Sequence, residues 1–232
     1  MHVTLKDDLS DKVADVFHKS WSVRIGRKVP DTDDLSLLND AVDLPFAAVL
    51  YADIDRSSEL VHESKWEFAA EIYKAFLYCA ARVIGSNEGT VTAYDGDRVM
   101  GVFVGDMPCN MAVRSALQIN WCVANLVMPL MRQVYDTSFE LLHVTGVDCG
   151  QLRAARTGVR GANDIVWVGN AANFAAKLSG GSSDYSTYVT DAVYRSINNE
   201  LKYDSNDGSN VWSQTYFDSQ SVYRTSAQAS LD

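Results

Sequence analysis

Residues 46–58 read FAAVLYADIDRSS, and this stretch predicts how the core of the protein begins. Residues 46–54 form a short apolar run of the kind that makes a buried β-strand. Ser57 and Ser58 follow directly and are residues that favour a helix N-cap. From residue 60 to residue 83, apolar residues recur mostly at helical spacing, which predicts one long amphipathic helix. The core is therefore expected to start with a strand that leads into a helix.

The segments downstream extend this pattern. Residues 90–94 and 99–104 are strand-like runs on either side of Asp95-Gly96-Asp97, and an Asp-Gly turn in that setting predicts a β-hairpin. Residues 111–134 form a second helical stretch, which Pro129 must kink or break. Shorter segments follow: strands at 141–147 and 165–168, a helix at 171–178, and strands at 188–190 and 221–224.

The order of these elements indicates the fold class. Strand, helix, hairpin, helix and strand make the β-α-β-β-α-β arrangement of ferredoxin-like folds. We therefore expect an α+β fold whose helices cover one face of a mostly antiparallel sheet. Residues 1–44 are charged and irregular in pattern, so we expect them to form a helical and loop appendage. Residues 45–232 are expected to form the main domain.

The composition excludes several classes of function. The chain has 232 residues, with 30 acidic residues against 20 Lys and Arg, and a net charge of −10. This acid excess argues against broad nucleic-acid binding, which requires basic residues to neutralise phosphates. The N-terminus lacks the apolar core of a signal peptide, and no apolar run approaches the ~18–20 residues of a membrane span. We expect a cytoplasmic protein without nucleic-acid or membrane partners.

Two aspartates are candidate metal ligands because each lies where a strand meets a turn. Asp53 ends the first strand, and Asp97 lies at the hairpin tip. Side chains alternate along a strand, so Tyr51, Asp53 and Asp55 share one face. If the first strand pairs with the hairpin, the Asp53 and Asp97 carboxylates approach and repel unless cations lie between them. A pair of Mg²⁺ or Mn²⁺ ions fits such oxygen ligands, although each aspartate alone could be a cap or turn residue.

The turn after Asp53 is a candidate phosphate site. Residues 54–58 lead into a helix N-terminus, whose free backbone N–H groups attract anions. Arg56 would place a cation beside a bound triphosphate, or it could be an ordinary surface arginine.

Four motifs in order resemble those of class III nucleotidyl cyclases. YADIDRSS (51–58) resembles their F-x-D-I-x-G-[FS]-[ST] motif, and YDGDRVMGVF (94–103) resembles their G-D-x-x-M-x-x-F motif. GVDCGQLRAARTG (146–158) follows the G-I-H-x-G-x-V-x-A-G-x-x-G pattern, and VGNAANFAAKLS (168–179) resembles W-G-x-x-V-N-x-A-A-R. The resemblance covers residues 46–180 and makes residues 45–232 a cyclase catalytic domain.

The resemblance implies a reaction and a set of roles. The ribose 3′-OH of a nucleoside triphosphate attacks the α-phosphorus and expels pyrophosphate. Asp53, Asp97 and the Ile54 carbonyl would hold two Mg²⁺ or Mn²⁺ ions, Asn173 would orient the ribose, and Lys177 stands where the family has its transition-state arginine. In this family the site forms between two subunits, so a homodimer is implied.

Departures from the family pattern bear on the base that is recognised. Ala93 and Val166 stand where adenylate cyclases have a base-reading Lys and Asp, and Tyr51 stands where Phe is common. Without a buried polar pair purine specificity is not expected, and Tyr51 could either narrow the pocket or simply pack at the strand end. The predicted substrate contacts are Tyr51, Asp55, Arg56, Ser57, Ser58, Ala93 and Val166.

These features most resemble the bacterial pyrimidine cyclases of Pycsar antiphage defence, whose product activates a cyclic-nucleotide-binding effector. That subgroup makes cyclic UMP or cyclic CMP, and we expect UTP as the substrate because uracil asks least of a pocket without obvious donor–acceptor pairs. CTP, an unorthodox adenylate cyclase and an inactive cyclase-homology nucleotide sensor are the alternatives. Lys177 lacks the planar fork of arginine. Either it keeps the charge stabilisation and loses the bidentate geometry, or the enzyme is impaired.

Overall fold

The strand predicted at residues 46–54 is paired on both sides within its sheet in the computed structural model, which describes residues 4–231. Within those residues the nine strands are β1 Ser22–Ile25, β2 Asp40–Ile54, β3 Thr90–Asp95, β4 Arg98–Phe103, β5 His143–Val159, β6 Ala162–Val168, β7 Thr187–Thr190, β8 Ser213–Phe217 and β9 Gln220–Thr225. The seven α-helices are α1 Leu5–His18, α2 Ser57–Glu63, α3 Trp66–Ser86, α4 Pro108–Cys122, α5 Met128–Val134, α6 Asn170–Ser179 and α7 Asp191–Ser196.

The sheet order confirms the predicted fold class. The strands run β3-β4-β2-β5-β7-β9-β8, while β1 pairs with β2 and β6 pairs with β5 at the margins. The four strands β3, β4, β2 and β5 are antiparallel throughout and have the order of a ferredoxin-like core. β1–β2 and β5–β7 are parallel pairs, so the sheet is mixed but mostly antiparallel.

Helices cover both faces of the sheet, which corrects the expectation of one covered face. Alternate residues of β2 such as Leu50 pack with α3 and α4 on one face. Val49, on the other face, belongs to an apolar cluster with Ala172 and Ala175 of α6. Gly146 permits the close approach of α6, because a Cβ there would lie 2.3 Å from the Ala175 carbonyl oxygen. This position of α6 matters for the site described below.

The two long predicted helices are both interrupted. The first divides into α2 and α3 between Glu63 and Trp66. The second contains a π-helical segment, Val123–Val127, between α4 and α5. Pro129 has no N–H to donate, and its ring clashes with the backbone of the preceding helical turn. The wider π-helical turn just before it relieves this clash.

The N-terminal segment is joined to the sheet through β1. β1 pairs with Asp40–Asp43 at the start of β2, so β2 continues across the predicted boundary at residues 44 and 45. Helix α1 has no buried residue and is held at its end by the Asn39 side chain, whose Nδ2 donates to the Val16 and Lys19 carbonyls. The division into appendage and main domain stays a prediction.

In the part of the chain that the structure describes, no helix has both the length and the apolar character that crossing a membrane requires.

A buried histidine on β5 predicts how stability depends on pH. His143 is 4% exposed, and burial lowers its pKa from 6.5 to about 4. Between pH 6.5 and 4, His143 therefore binds a proton in the unfolded chain but stays neutral in the folded protein. Its contribution to the free energy of unfolding is complete above pH 6.5 and falls by roughly 3 kcal/mol as the pH drops to 4. Urea unfolding between pH 7 and 4.5 should show this loss in the wild type and a much smaller loss in His143→Leu.

The matched control is His18→Gln at the exposed end of α1, which should keep the wild-type pH dependence. Equal pH dependence in the wild type and in His143→Leu would show that His143 does not contribute.

Candidate active site

The pairing of β2 with β4 brings the two predicted metal ligands together. Ala52 of β2 lies opposite Val99 of β4, and the strands run in opposite directions. The residue that follows Ala52, Asp53, therefore meets the turn that precedes β4, and that turn contains Asp97. A short Asp-Gly turn between β3 and β4 fixes this geometry, with Gly96 at φ +62°.

The charges at this meeting point are unbalanced. The pKa of Asp53 is raised to about 6, first by burial and then by the neighbouring Asp97 carboxylate, while Arg98 acts in the opposite direction. Oδ2 of Asp97 is buried and has no hydrogen-bond partner among the described residues. Two adjacent carboxylates without a donor between them are unfavourable in the free protein. They suit hard divalent cations, which prefer oxygen ligands.

The residues at the end of β2 therefore fit Mg²⁺ or Mn²⁺. Asp53 and Asp97 would provide carboxylate oxygens, and the Ile54 carbonyl is the predicted third ligand. Within residues 4–231 no site collects three or more His, Cys, Asp or Glu side chains. A metal held here would thus depend on two carboxylates, one backbone oxygen and the substrate's own phosphates.

The turn after Asp53 differs from the sequence prediction at its caps. Neither Ser57 nor Ser58 caps α2; Arg56 occupies the N-cap position, with φ +55° and no side-chain cap bond. This left-handed conformation is the one that glycine adopts most easily, which explains the glycine of the related motif at this place. The Arg56 side chain is 67% exposed, and its Nε lies 3.7 Å from Asp55 Oδ2.

Asp55 is engaged by other parts of the chain. Its Oδ2 accepts a hydrogen bond from Ser183 Oγ at 2.6 Å, and its backbone N–H donates to the Leu142 carbonyl at 2.9 Å. These contacts hold the turn after Asp53 against the start of β5 and the loop before β7. Asp55 therefore fixes the turn, whereas its role as a substrate contact stays a prediction.

Helix α6 presents the second group of predicted residues. Asn173 and Lys177 are one helical turn apart and both exposed, while Phe174, Ala175 and Leu178 are buried. The two exposed side chains line a cavity of about 640 Å³ that also contains Asp148, Asn170 and Gln220. Lys177 Nζ lies 3.1 Å from Asp218 Oδ2.

Asp148 places a buried carboxylate in the wall of this cavity. It is 8% exposed, and its Oδ1 accepts hydrogen bonds from Thr190 Oγ1 at 2.7 Å and from the Cys149 backbone N–H at 2.8 Å. Burial raises its pKa, while those two donors lower it.

The two groups of residues stay apart within one chain. Among the described residues, neither Asp53 nor Asp97 lines the Asn173 and Lys177 cavity, and no hydrogen bond or ion pair joins the two groups. A site that needs both groups could be completed by a second copy.

The predicted base contacts are divided as well. Tyr51 and Ala93 belong to one apolar cluster with Met100, and the Arg98 guanidinium lies 5.5 Å from the Tyr51 ring centre. Val166 does not join them: the residues on either side of it in β6 pack on this cluster, whereas Val166 is 42% exposed on the other side of the strand.

Three residues near these groups were missed by sequence reasoning. Arg98 follows Asp97 directly, so strand alternation could have indicated it. Asp148 replaces the histidine of the G-I-H-x-G pattern, which is a visible departure. Asp218 has no local signal, because it meets Lys177 through tertiary structure at a separation of 41 residues.

Comparison with known proteins finds relatives that match nearly the whole chain. No protein-family model matches it. It is 44% identical over 233 residues to a uridylate cyclase of Xanthomonas perforans, covering 98% of this chain and 99% of that protein. It is 43% identical over 222 residues to a uridylate cyclase of Burkholderia cepacia, covering 95% and 96%.

The fold agrees with that relationship. A bacterial light-regulated adenylyl cyclase matches with a TM-score of 0.63 and 19% identity, covering 79% of this chain and 91% of that one. At this identity the structural likeness shows the fold, and the near full-length sequence matches show the relationship. The chain belongs to the family of these uridylate cyclases, within the class III nucleotidyl cyclases.

Proposed function

We propose that the protein converts UTP into 3′,5′-cyclic UMP and pyrophosphate. The observation that carries the proposal is that the Asp53 and Asp97 carboxylates lie side by side at the end of β2, and that Oδ2 of Asp97 is buried without a hydrogen-bond partner among the described residues. The substrate is taken from the names of relatives that share at least 43% identity over nearly the whole chain.

The bonds that change are the same for any nucleoside triphosphate. The ribose 3′-oxygen forms a bond to the α-phosphorus, its proton is lost, and the bond from that phosphorus to the bridging oxygen of pyrophosphate breaks. Two divalent ions bound at Asp53 and Asp97 would lower the pKa of the 3′-OH and neutralise charge on the phosphates. The remaining task of the protein is to position the reacting groups.

Residues on α6 are suited to that task. The Asn173 amide can bind the ribose, and one turn later the Lys177 ammonium can stabilise charge that develops on the α-phosphate. An exposed pair on one face of a helix, beside an open 640 Å³ cavity, can meet a substrate held by another subunit. We therefore propose a homodimer in which Asp53 and Asp97 of one copy face Asn173 and Lys177 of the other.

The base pocket favours a small base. Ala93 offers no polar side chain, and Tyr51 fills space on the same apolar cluster. The Arg98 guanidinium lies 5.5 Å from the centre of the Tyr51 ring, so Tyr51 and Arg98 can supply polar groups beside this cluster. A pyrimidine fits this arrangement better than a purine, which needs a larger pocket and its own polar partners.

The biological role follows from the product. A cyclic pyrimidine nucleotide made in the cytoplasm, where nucleoside triphosphates are available, would act as a messenger for a cyclic-nucleotide-binding effector. We propose antiphage signalling as the setting, on the resemblance to Pycsar cyclases.

Base preference can be measured directly. Purified protein given each of the four nucleoside triphosphates with Mn²⁺ should make mainly cyclic UMP. Tyr51→Ala should lower kcat/KM for UTP about tenfold and raise the relative use of purines, because it widens the pocket. Tyr94→Ala on the exposed side of β3 is the control and should keep the UTP preference.

Each wild-type result has a distinct meaning. Mainly cyclic CMP would make the UTP assignment wrong, and mainly cyclic AMP or GMP would make the pyrimidine assignment wrong. Binding of UTP without any product would favour the inactive sensor.

Metal binding can be tested without turnover. Calorimetric titration of the protein with Mn²⁺ in the presence of a non-cyclisable UTP analogue should show binding at least about tenfold weaker in Asp97→Asn than in the wild type, because one of two carboxylate ligands is lost. Asp106→Asn removes the same charge beyond the far end of β4 and should bind as the wild type does. Wild-type Mn²⁺ affinity in Asp97→Asn would contradict the metal assignment.

Substitutions at Arg56 can distinguish an effect on backbone strain from an effect on substrate binding. Arg56→Gly should raise the free energy of unfolding by about 0.5–1 kcal/mol, because glycine adopts φ +55° without strain. It should also raise KM for UTP several-fold, since a cation beside the phosphates is lost. Arg56→Ala should raise KM equally but give no gain in stability. An unchanged KM in both variants would make Arg56 a surface residue.

A further inference from the structure

The candidate transition-state lysine is held by a specific partner. Lys177 Nζ donates a hydrogen bond to Asp218 Oδ2 at 3.1 Å. A lysine side chain has many rotamers and ends in a point charge, so its ammonium needs a second group to fix its direction. Arginine reaches the same end through its planar fork. A lysine in place of that arginine lacks the planar fork, and the hydrogen bond to Asp218 can fix the direction of its ammonium instead.

Asp218 lies in a tight hairpin turn. It forms, with Ser219, the two-residue connection between β8 and β9, and both residues have positive φ, at +47° and +64°. Two-residue turns of this kind match the twist of the paired strands, so they are well defined. Phe217 pairs with Gln220 across the base of the turn.

The same turn is anchored to helix α6. The rings of Phe217 and Phe174 meet edge to face, with centres 6.0 Å apart. Phe174 lies on α6 between Asn173 and Lys177 in sequence. The helix that carries Lys177 is therefore packed against the hairpin that carries Asp218. Gln220, at the start of β9, lines the cavity together with Asn173 and Lys177. The strand residue that directly follows the turn is therefore part of the wall of that cavity.

The ion pair contributes little to the stability of the fold. The side chains of Lys177 and Asp218 are 59% and 57% exposed, and pairs of this kind are worth little in water. A role in stability therefore does not explain the contact, whereas the place of Lys177 on the cavity wall gives the direction of its ammonium a consequence.

We propose that Asp218 is a positioning residue that directs the Lys177 ammonium over the cavity toward the α-phosphate. One N–H of the ammonium is bound to Asp218, which leaves two others for the substrate. This inference rests on the proposed function, because it assigns to Asp218 the task of presenting a residue that acts in the reaction.

The test is Asp218→Asn. Asparagine tolerates positive φ as aspartate does, so the turn is kept while the charge is removed. Because Lys177 acts in the transition state, kcat for UTP should fall about two- to fivefold with KM little changed. Asp218→Glu should recover most of the loss, and Asp106→Asn, distant from α6 in the sequence, should behave as the wild type.

A double-mutant cycle separates positioning from a structural effect. In the Lys177→Arg background, which has its own planar fork, Asp218→Asn should change kcat by less than about 1.5-fold. The thermal midpoint should be the same with and without the Asp218 charge. Equal losses of kcat in both backgrounds, or a rise in kcat when Asp218 is removed from the wild type, would overturn the proposal.

Lys177→Ala distinguishes this inference from the proposed function. If Lys177→Ala leaves turnover intact, the role of Lys177 in the reaction is wrong, and the role of Asp218 falls with it. If Lys177→Ala abolishes turnover while Asp218→Asn has no effect, Lys177 keeps its role and the positioning by Asp218 alone is refuted.

Discussion

The antiparallel pairing of β2 with β4 fixes the position of the chemical groups on which the rest of the site depends. With Ala52 opposite Val99, Asp53 has to meet the hairpin turn, and Asp97 is in that turn. A shift of register by one residue would move Asp53 to the opposite face of the sheet. The buried alternation of β2, with Val49 on the α6 face and Leu50 on the α3 and α4 face, prevents such a shift. The hydrophobic core thus determines the distance between two carboxylates.

That pairing places like charges together in a partly buried site, which is unfavourable in the free protein. Burial first and the neighbouring Asp97 carboxylate second raise the pKa of Asp53, and one oxygen of Asp97 is buried without a hydrogen-bond partner among the described residues. Hydrogen-bond donors could have relieved the repulsion between these carboxylates, as Thr190 and the Cys149 backbone do for Asp148. Their absence around Asp97, within the described residues, leaves the carboxylates available for cations. A site of this kind gives up stability to gain affinity for a charged ligand.

The sequence predicts the parts of this structure that local chemistry determines. The Asp-Gly turn, the alternation of β2 and the helical face of Asn173 and Lys177 are short-range signals, and all three elements are present. The position of α6 on the opposite face of the sheet depends on tertiary packing against Gly146, and the left-handed Arg56 depends on the turn as a whole. The contact between Lys177 and Asp218 has no local signal, because a two-residue turn at the end of the chain creates it.

The acidic residues that give the chain its net negative charge also lie beside the basic residues of the candidate site. Three cations lie near the candidate groups, and each has a carboxylate beside it: Arg56 lies near Asp55, Arg98 near Asp95 and Lys177 near Asp218. The free site therefore carries no net positive charge to attract a triphosphate, since Asp53 and Asp97 add negative charge. Under the proposed function, a triphosphate would therefore bind there together with cations of its own. On the same proposal, an acidic protein with a net charge of −10 would select the metal complex of its nucleotide over the free nucleotide, and its basic residues would orient that complex.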